Sequence, residues 1–123
     1  MKIVFANETV KEQCTSKRAA KKLFGGNDVL ARSLQSRINA LKQATTINDI
    51  IVQPTFHFYN LHNIGRKKLE GLYAIDVKSR REKWRIILQP LDENEEPYES
   101  CSIDEIAFYV KVVEIREVSN HYE

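Results

Sequence analysis

The sequence predicts an α+β fold, with two N-terminal helices packed on a mainly antiparallel sheet, in a single domain covering residues 1–123. Helical periodicity is confined to the chain before Thr46, and four β-branched and aromatic runs follow Pro54. The connections between those runs are too short for the crossover helices that parallel neighbours need, so the strands are expected to pair antiparallel. A chain of 123 residues, 42% hydrophobic and 29% charged, fits one domain. At this size roughly two thirds of the unfolded surface is removed from water, enough for a core without disulfides or structural metal.

Each element has a local reason. Lys2-Ile3-Val4-Phe5 is β-branched and aromatic and ends at Asn7, a turn or cap residue, which predicts a first strand. From Thr9 the apolar positions become Val10, Cys14, Ala20, Leu23 and Phe24. Thr9-x-x-Glu12 fits a capping box and Gly25-Gly26 supplies the stop, so this is a helix, which the backbone-competing hydroxyls of Thr15-Ser16 can interrupt. Asn27 caps a second helix, whose Leu30, Leu34, Ile38 and Leu41 fall on one face. The pair, joined by the glycines, reads as an αα-hairpin that buries its stripe against a sheet. Strands are expected at residues 55–59, 72–77, 84–88 and 108–115, the last in the middle of the sheet. The acidic stretch Asp92 to Ser100, with Pro97, is expected to be a mobile loop.

Composition removes several classes of function. No apolar run approaches the ~20 residues of a membrane helix and no charged-apolar-small leader precedes Asn7, so a cytoplasmic protein is expected. Cys14 and Cys101 lie far apart, without a CxxC pair or histidines at zinc spacing, and are expected to be free thiols. There is no Walker loop, GxGxxG, GxSxG or HExxH, which leaves nucleotide-driven, serine-hydrolase and zinc-protease chemistry without local support.

The net charge of +2 conceals two blocks. Between His62 and Gln89 there are eight basic residues (Arg66, Lys67, Lys68, Lys78, Arg80, Arg81, Lys83 and Arg85) against three acidic ones. From Pro90 to Ala107 there are seven acidic residues and no basic one. A compact basic block attracts a phosphate backbone through counterion release, although a solvated surface has the same composition.

Few residues remain as carriers of chemistry. His121 can exchange a proton near neutral pH if the last strand orders it beside Tyr122; otherwise it belongs to a frayed tail. Strand alternation sends Arg85 to the face opposite Trp84 and Ile86. There it is either a guanidinium fork for phosphate oxygens or an ion-pair partner of Asp76 on a neighbouring strand. His57 and His62, five apart, make no metal site. Tyr59, Tyr73 and Trp84 suit base stacking or a core, and Trp84 is expected in the core.

Three segments in order resemble one family. Tyr59-Asn60-Leu61 with the following basic turn and Gly71-Leu72-Tyr73-Ala74-Ile75-Asp76-Val77 is the first. Trp84-Arg85-Ile86-Ile87-Leu88-Gln89-Pro90 is the second, and Val113-Glu114-Ile115-Arg116-Glu117-Val118-Ser119-Asn120-His121-Tyr122 closes the set. Together, after two N-terminal helices, they resemble the RelE/ParE toxin superfamily, and within it the HigB-like branch of plasmid-maintenance or proteic killer proteins.

The resemblance implies a RelE-like fold and the toxin of a type II toxin-antitoxin pair. It further implies a ribosome-dependent mRNA endonuclease, in which the ribose 2′-hydroxyl of the message attacks the adjacent phosphate. The implied partners are a cognate, HigA-like antitoxin with a helix-turn-helix domain, the ribosome and mRNA; no cofactor, metal, membrane or small-molecule substrate is expected. Carried onto this sequence, Arg85 would stabilise the phosphate, Lys67 and Lys68 would bind or neutralise it, His121 would exchange protons, and Tyr122 would stack on a base or assist. Arg66, Lys67, Lys68, Arg80, Arg81, Lys83, Tyr59 and His57 would contact RNA. Tyr59 stands where many relatives place a histidine, with His57 two residues earlier on the expected strand, so the general base is open among Tyr59, His57 and His121. The alternatives are a ParE-type inhibitor of DNA gyrase and a catalytically inactive binding module of the same fold.

Overall fold

The computed structural model describes residues 1–61, 71–99 and 102–121, and is α+β. Among them the order is β1 (Lys2–Phe5), α1 (Glu8–Thr15), α2 (Lys17–Leu23), α3 (Asp28–Gln43), α4 (Asn48–Ile51), a 3₁₀ turn (Pro54–Phe56), β2 (Tyr59–Asn60), β3 (Tyr73–Asp76), β4 (Arg85–Leu91), α5 (Ile103–Ile106) and β5 (Val112–Ser119). No helix among the described residues is long and apolar enough to cross a membrane. The strands form one sheet in the order β1-β5-β4-β3-β2. The sheet is mixed, because β1 runs parallel to β5 while the other neighbours are antiparallel.

The helix boundaries follow from side chains that satisfy free backbone amides. Asn7 Oδ1 accepts from the Val10 amide at 2.9 Å, so Asn7, rather than Thr9, caps the first helix. Ser16 is extended and its Oγ accepts from the Ala19 amide, ending α1 and starting α2. The interruption allowed at Thr15-Ser16 is therefore real, and three helices precede residue 44 where two were expected. α2 ends in a Schellman motif: Gly25, at φ +62°, donates to the Lys22 carbonyl and Gly26 to that of Lys21. Asn27 Oδ1 accepts from the Leu30 amide, as the sequence indicated.

One core cluster holds Val10 and Cys14 of α1, Leu30, Leu34, Ile38 and Leu41 of α3, and Ile75, Ile86, Leu88, Ile115 and Val118 of the sheet. Trp84 packs edge-on against Phe24, ring centroids 4.9 Å apart, consistent with a core aromatic. Leu34 is fully buried in this cluster, and Leu34→Ala is expected to lower unfolding free energy by about 2–5 kcal/mol in urea titration. A cost under about 1 kcal/mol would mean that the site collapses around the smaller side chain.

Ile115 and Val118 share this cluster although they stand three apart in β5, where plain alternation would separate them. The register of β4 against β5 slips between Ile87 and Leu88, so that Ile87 faces Glu117 while Leu88 faces Ile115. The bulge at Arg116 resets the alternation. It therefore turns Ser119 to the other face of the sheet, directly opposite Arg85.

Several expected strands are displaced. Residues 55–59 are not a strand: Pro54 starts a 3₁₀ turn, His57 follows at φ +50°, and only Tyr59–Asn60 pair with β3. β5 begins at Val112, not Phe108, because α5 and the turn after it carry Ala107 and Val110 into a second cluster with Ile47 and Val113. It lies inside the sheet between β1 and β4. The acidic stretch after β4 closes on itself, with the Asp92 amide bonded to the Glu96 carbonyl and a bridge from Leu91 to Pro97.

Candidate functional site

The face of the sheet turned away from the helical cluster carries Ala74, Asp76, Arg85 and Ile87, because their neighbours Ile75 and Ile86 point the other way. Asp76 and Arg85 are register partners at the end of the β3–β4 pair. Both are buried, Asp76 at 1% exposure and Arg85 at 4%. Their contact, Nε to Oδ1 at 3.2 Å, is electrostatic, as the Nε–H makes no hydrogen bond of good geometry.

The rest of the Arg85 guanidinium is committed to the protein. Nη1 donates to the carbonyls of Trp84, at 2.9 Å, and Glu82, and Nη2 to that of Arg80 at 3.0 Å. Tyr59 adds a side-chain hydrogen bond. Arg85 is thus a clasp that holds the turn between β3 and β4 onto the end of the sheet. Of the two readings the sequence left open, the structure displays the ion pair with Asp76. From the clasped turn, Lys78, Arg80, Arg81 and Lys83 project with exposed side chains.

The same Asp76 oxygen meets a second residue. His57 Nδ1 lies 3.0 Å from Asp76 Oδ1, and the His57 side chain keeps 26% of its surface exposed. The left-handed conformation of His57, uncommon for a residue with a side chain, brings its ring onto Tyr59 at 4.8 Å between centroids. A carboxylate only accepts, so this contact places the proton of a neutral imidazole on Nδ1 and leaves the Nε2 lone pair as a base. The arrangement is an Asp–His pair whose carboxylate is itself fixed by a buried arginine.

His121 follows the end of β5 and is exposed, its amide donating to Ser119 Oγ at 3.1 Å. Ser119 is the β5 partner of Arg85, so His121 leaves the sheet at the end where the cluster sits. The structure therefore brings His57, Tyr59, Asp76, Arg85 and Ser119 together, with Arg80, Arg81 and Lys83 beside them on the turn. Arg66, Lys67, Lys68 and Tyr122 lie outside the described residues. The link from Asp76 to His57 escaped sequence reasoning, which had paired Asp76 only with Arg85. The available signal was a charged residue on a buried strand, nine residues before its basic partner.

Tyr59 is pushed up in pKa by burial, against an opposing pull from the hydrogen bond and charge of Arg85. Burial likewise raises Tyr73, and lifts the Cys14 thiol from its ordinary 9.0 to about 12 despite the nearby Lys42. These groups keep protons in the folded chain that the unfolded chain releases at lower pH, so stability falls as pH rises. For Cys14 that window runs from about 9 toward 12, and Cys14→Ala is expected to flatten the loss in urea titrations across it. An unchanged slope would remove Cys14 as its source. Among the described residues no three His, Cys, Asp or Glu side chains converge as metal ligands do. No family model, curated protein or solved structure matches the chain.

Proposed function

We propose that this chain is the toxin of a type II toxin-antitoxin pair, a RelE-like, ribosome-dependent mRNA endonuclease of the cytoplasm that blocks translation and is neutralised by a helix-turn-helix antitoxin. The observation that carries the reading is the His57 Nδ1–Asp76 Oδ1 contact of 3.0 Å beside an exposed basic turn. Cleavage of RNA without a metal needs a base, an acid and cations, and this end of the sheet supplies candidates for each.

His57 Nε2 takes the proton of a ribose 2′-hydroxyl while that oxygen bonds to the adjacent phosphorus. The bond from phosphorus to the 5′-oxygen breaks, and His121 gives that oxygen its proton. A 2′,3′-cyclic phosphate and a 5′-hydroxyl result. Arg80, Arg81 and Lys83, with Arg66, Lys67 and Lys68 as the resemblance implies, offset the charge of the phosphorane and hold the backbone. Arg85 serves as a positioning residue, acting through Asp76 and the turn.

The reading is tested in a translating extract with purified protein, by mapping new 5′ ends on a defined mRNA. Cuts that appear only while ribosomes translate support it. Intact mRNA with continuing protein synthesis from folded protein overturns it.

A further inference from the structure

The end of the sheet opposite the His57 cluster has the reverse chemistry. β4 runs seven residues from Arg85 to Leu91, a span of about 20 Å, from the basic turn to the acidic segment. At the Leu91 end lies a groove of about 580 Å³, floored by Leu91, Tyr98 and Val112 and walled by Phe108 and Tyr109. Phe108 is 68% exposed and Tyr109 72%, unusual for adjacent aromatic side chains.

The backbone that carries these aromatics is held by the fold. The Tyr109 and Val110 amides donate to the Ile106 carbonyl, and Ala107 and Val110 on either side are buried. Val110 and Ala107 also accept from the amides of Ile47 and Asn48, which ties the turn to α4. Aromatic side chains on a fixed backbone have only two side-chain torsions each to lose when covered, which suits an interface anchor. Asp92 and Glu93 line the groove, Asp104 and Glu105 precede the rings on α5, and Lys111 is the one cationic lining residue among the described residues.

We infer that this groove is a docking site for a cationic peptide segment of a partner protein, with apolar side chains seated against Phe108 and Tyr109 and lysines or arginines facing the acidic rim. The choice of occupant rests on charge complementarity, since Asp92 and Glu93 in the groove and Asp104 and Glu105 on α5 repel a nucleic-acid backbone and attract a basic chain, while Glu95 nearby is already paired with Lys2. The inference is independent of the proposed cleavage of RNA, because none of the groove residues belongs to the His57 cluster.

The test uses the full chain and a fluorescent synthetic peptide of lysine and leucine, followed by anisotropy. Control peptides replace lysine by glutamate or leucine by serine. The lysine-leucine peptide is expected to bind and both controls to fail. Phe108→Ser, Tyr109→Ser and Glu93→Lys should each weaken binding by about tenfold, without a change in melting temperature. Equal binding of the lysine-serine peptide, or binding that survives these substitutions, would overturn the inference. Self-association that Phe108→Ser abolishes, without peptide binding, would overturn it in favour of a second copy.

Discussion

Replacing Arg85 by alanine is expected to unfold this protein at markedly lower temperature. The substitution leaves the Asp76 carboxylate buried at 1% exposure without its cation, and frees the carbonyls of Arg80, Glu82 and Trp84 that the guanidinium satisfies. Removing one partner of a buried ion pair costs about 3–5 kcal/mol, which for a domain of this size lowers the melting temperature by about 10–20 °C. Arg85→Lys recovers part of the loss, because an ammonium reaches Asp76 but lacks the planar fork that bridges three carbonyls. Calorimetry on the two variants checks this. An Arg85→Ala protein that melts with the wild type would mean that the clasp contributes nothing, and would return Arg85 to a direct role at the phosphate.

The second large effect is on activity. His57→Asn is expected to slow cleavage by about 10²–10⁴-fold, the range for loss of a general base, while the melting temperature falls less than in Arg85→Ala, because Asp76 keeps its arginine. Asparagine tolerates the left-handed conformation that His57 adopts at φ +50°, so the backbone is preserved while the imidazole is lost. Single-turnover rates on ribosome-bound message separate this from a folding defect. Undiminished cleavage by folded His57→Asn protein would take the base away from His57 and leave it between Tyr59 and His121.

The contrast between these residues shows where a sequence can be read and where it cannot. The helix α3 was legible because its causes are local, Asn27 satisfying an amide three residues on and Leu30, Leu34, Ile38 and Leu41 falling on one face. The cap at Asn7 and the separate start of α2 at Ser16 differ from the expectation, and α4 and α5, four residues each, are too short to show a period. The face of Arg85 and its pairing with Asp76 were within reach of strand alternation. The bulge at Arg116 was not, since nothing in Glu114-Ile115-Arg116-Glu117 marks a reset, and yet it decides that Ser119 joins Arg85. Likewise, β-propensity extended the last strand back to Phe108, whereas burial of Ala107 and Val110 against Ile47 holds those residues in a turn. The approach of His57 to Asp76 joins positions 19 apart through a left-handed residue, and no local pattern encodes it.

The proposed cleavage proceeds by attack of the ribose 2′-hydroxyl, with protons moved by His57 and His121. Its most direct test is a message carrying one 2′-deoxynucleotide at the mapped cut, translated beside the all-ribose message with wild-type protein. The all-ribose message is expected to be cut to a fragment ending in a 2′,3′-cyclic phosphate, and the substituted message to stay intact at that position. A cut at the deoxynucleotide, or a fragment ending in a free 3′-hydroxyl, would contradict it.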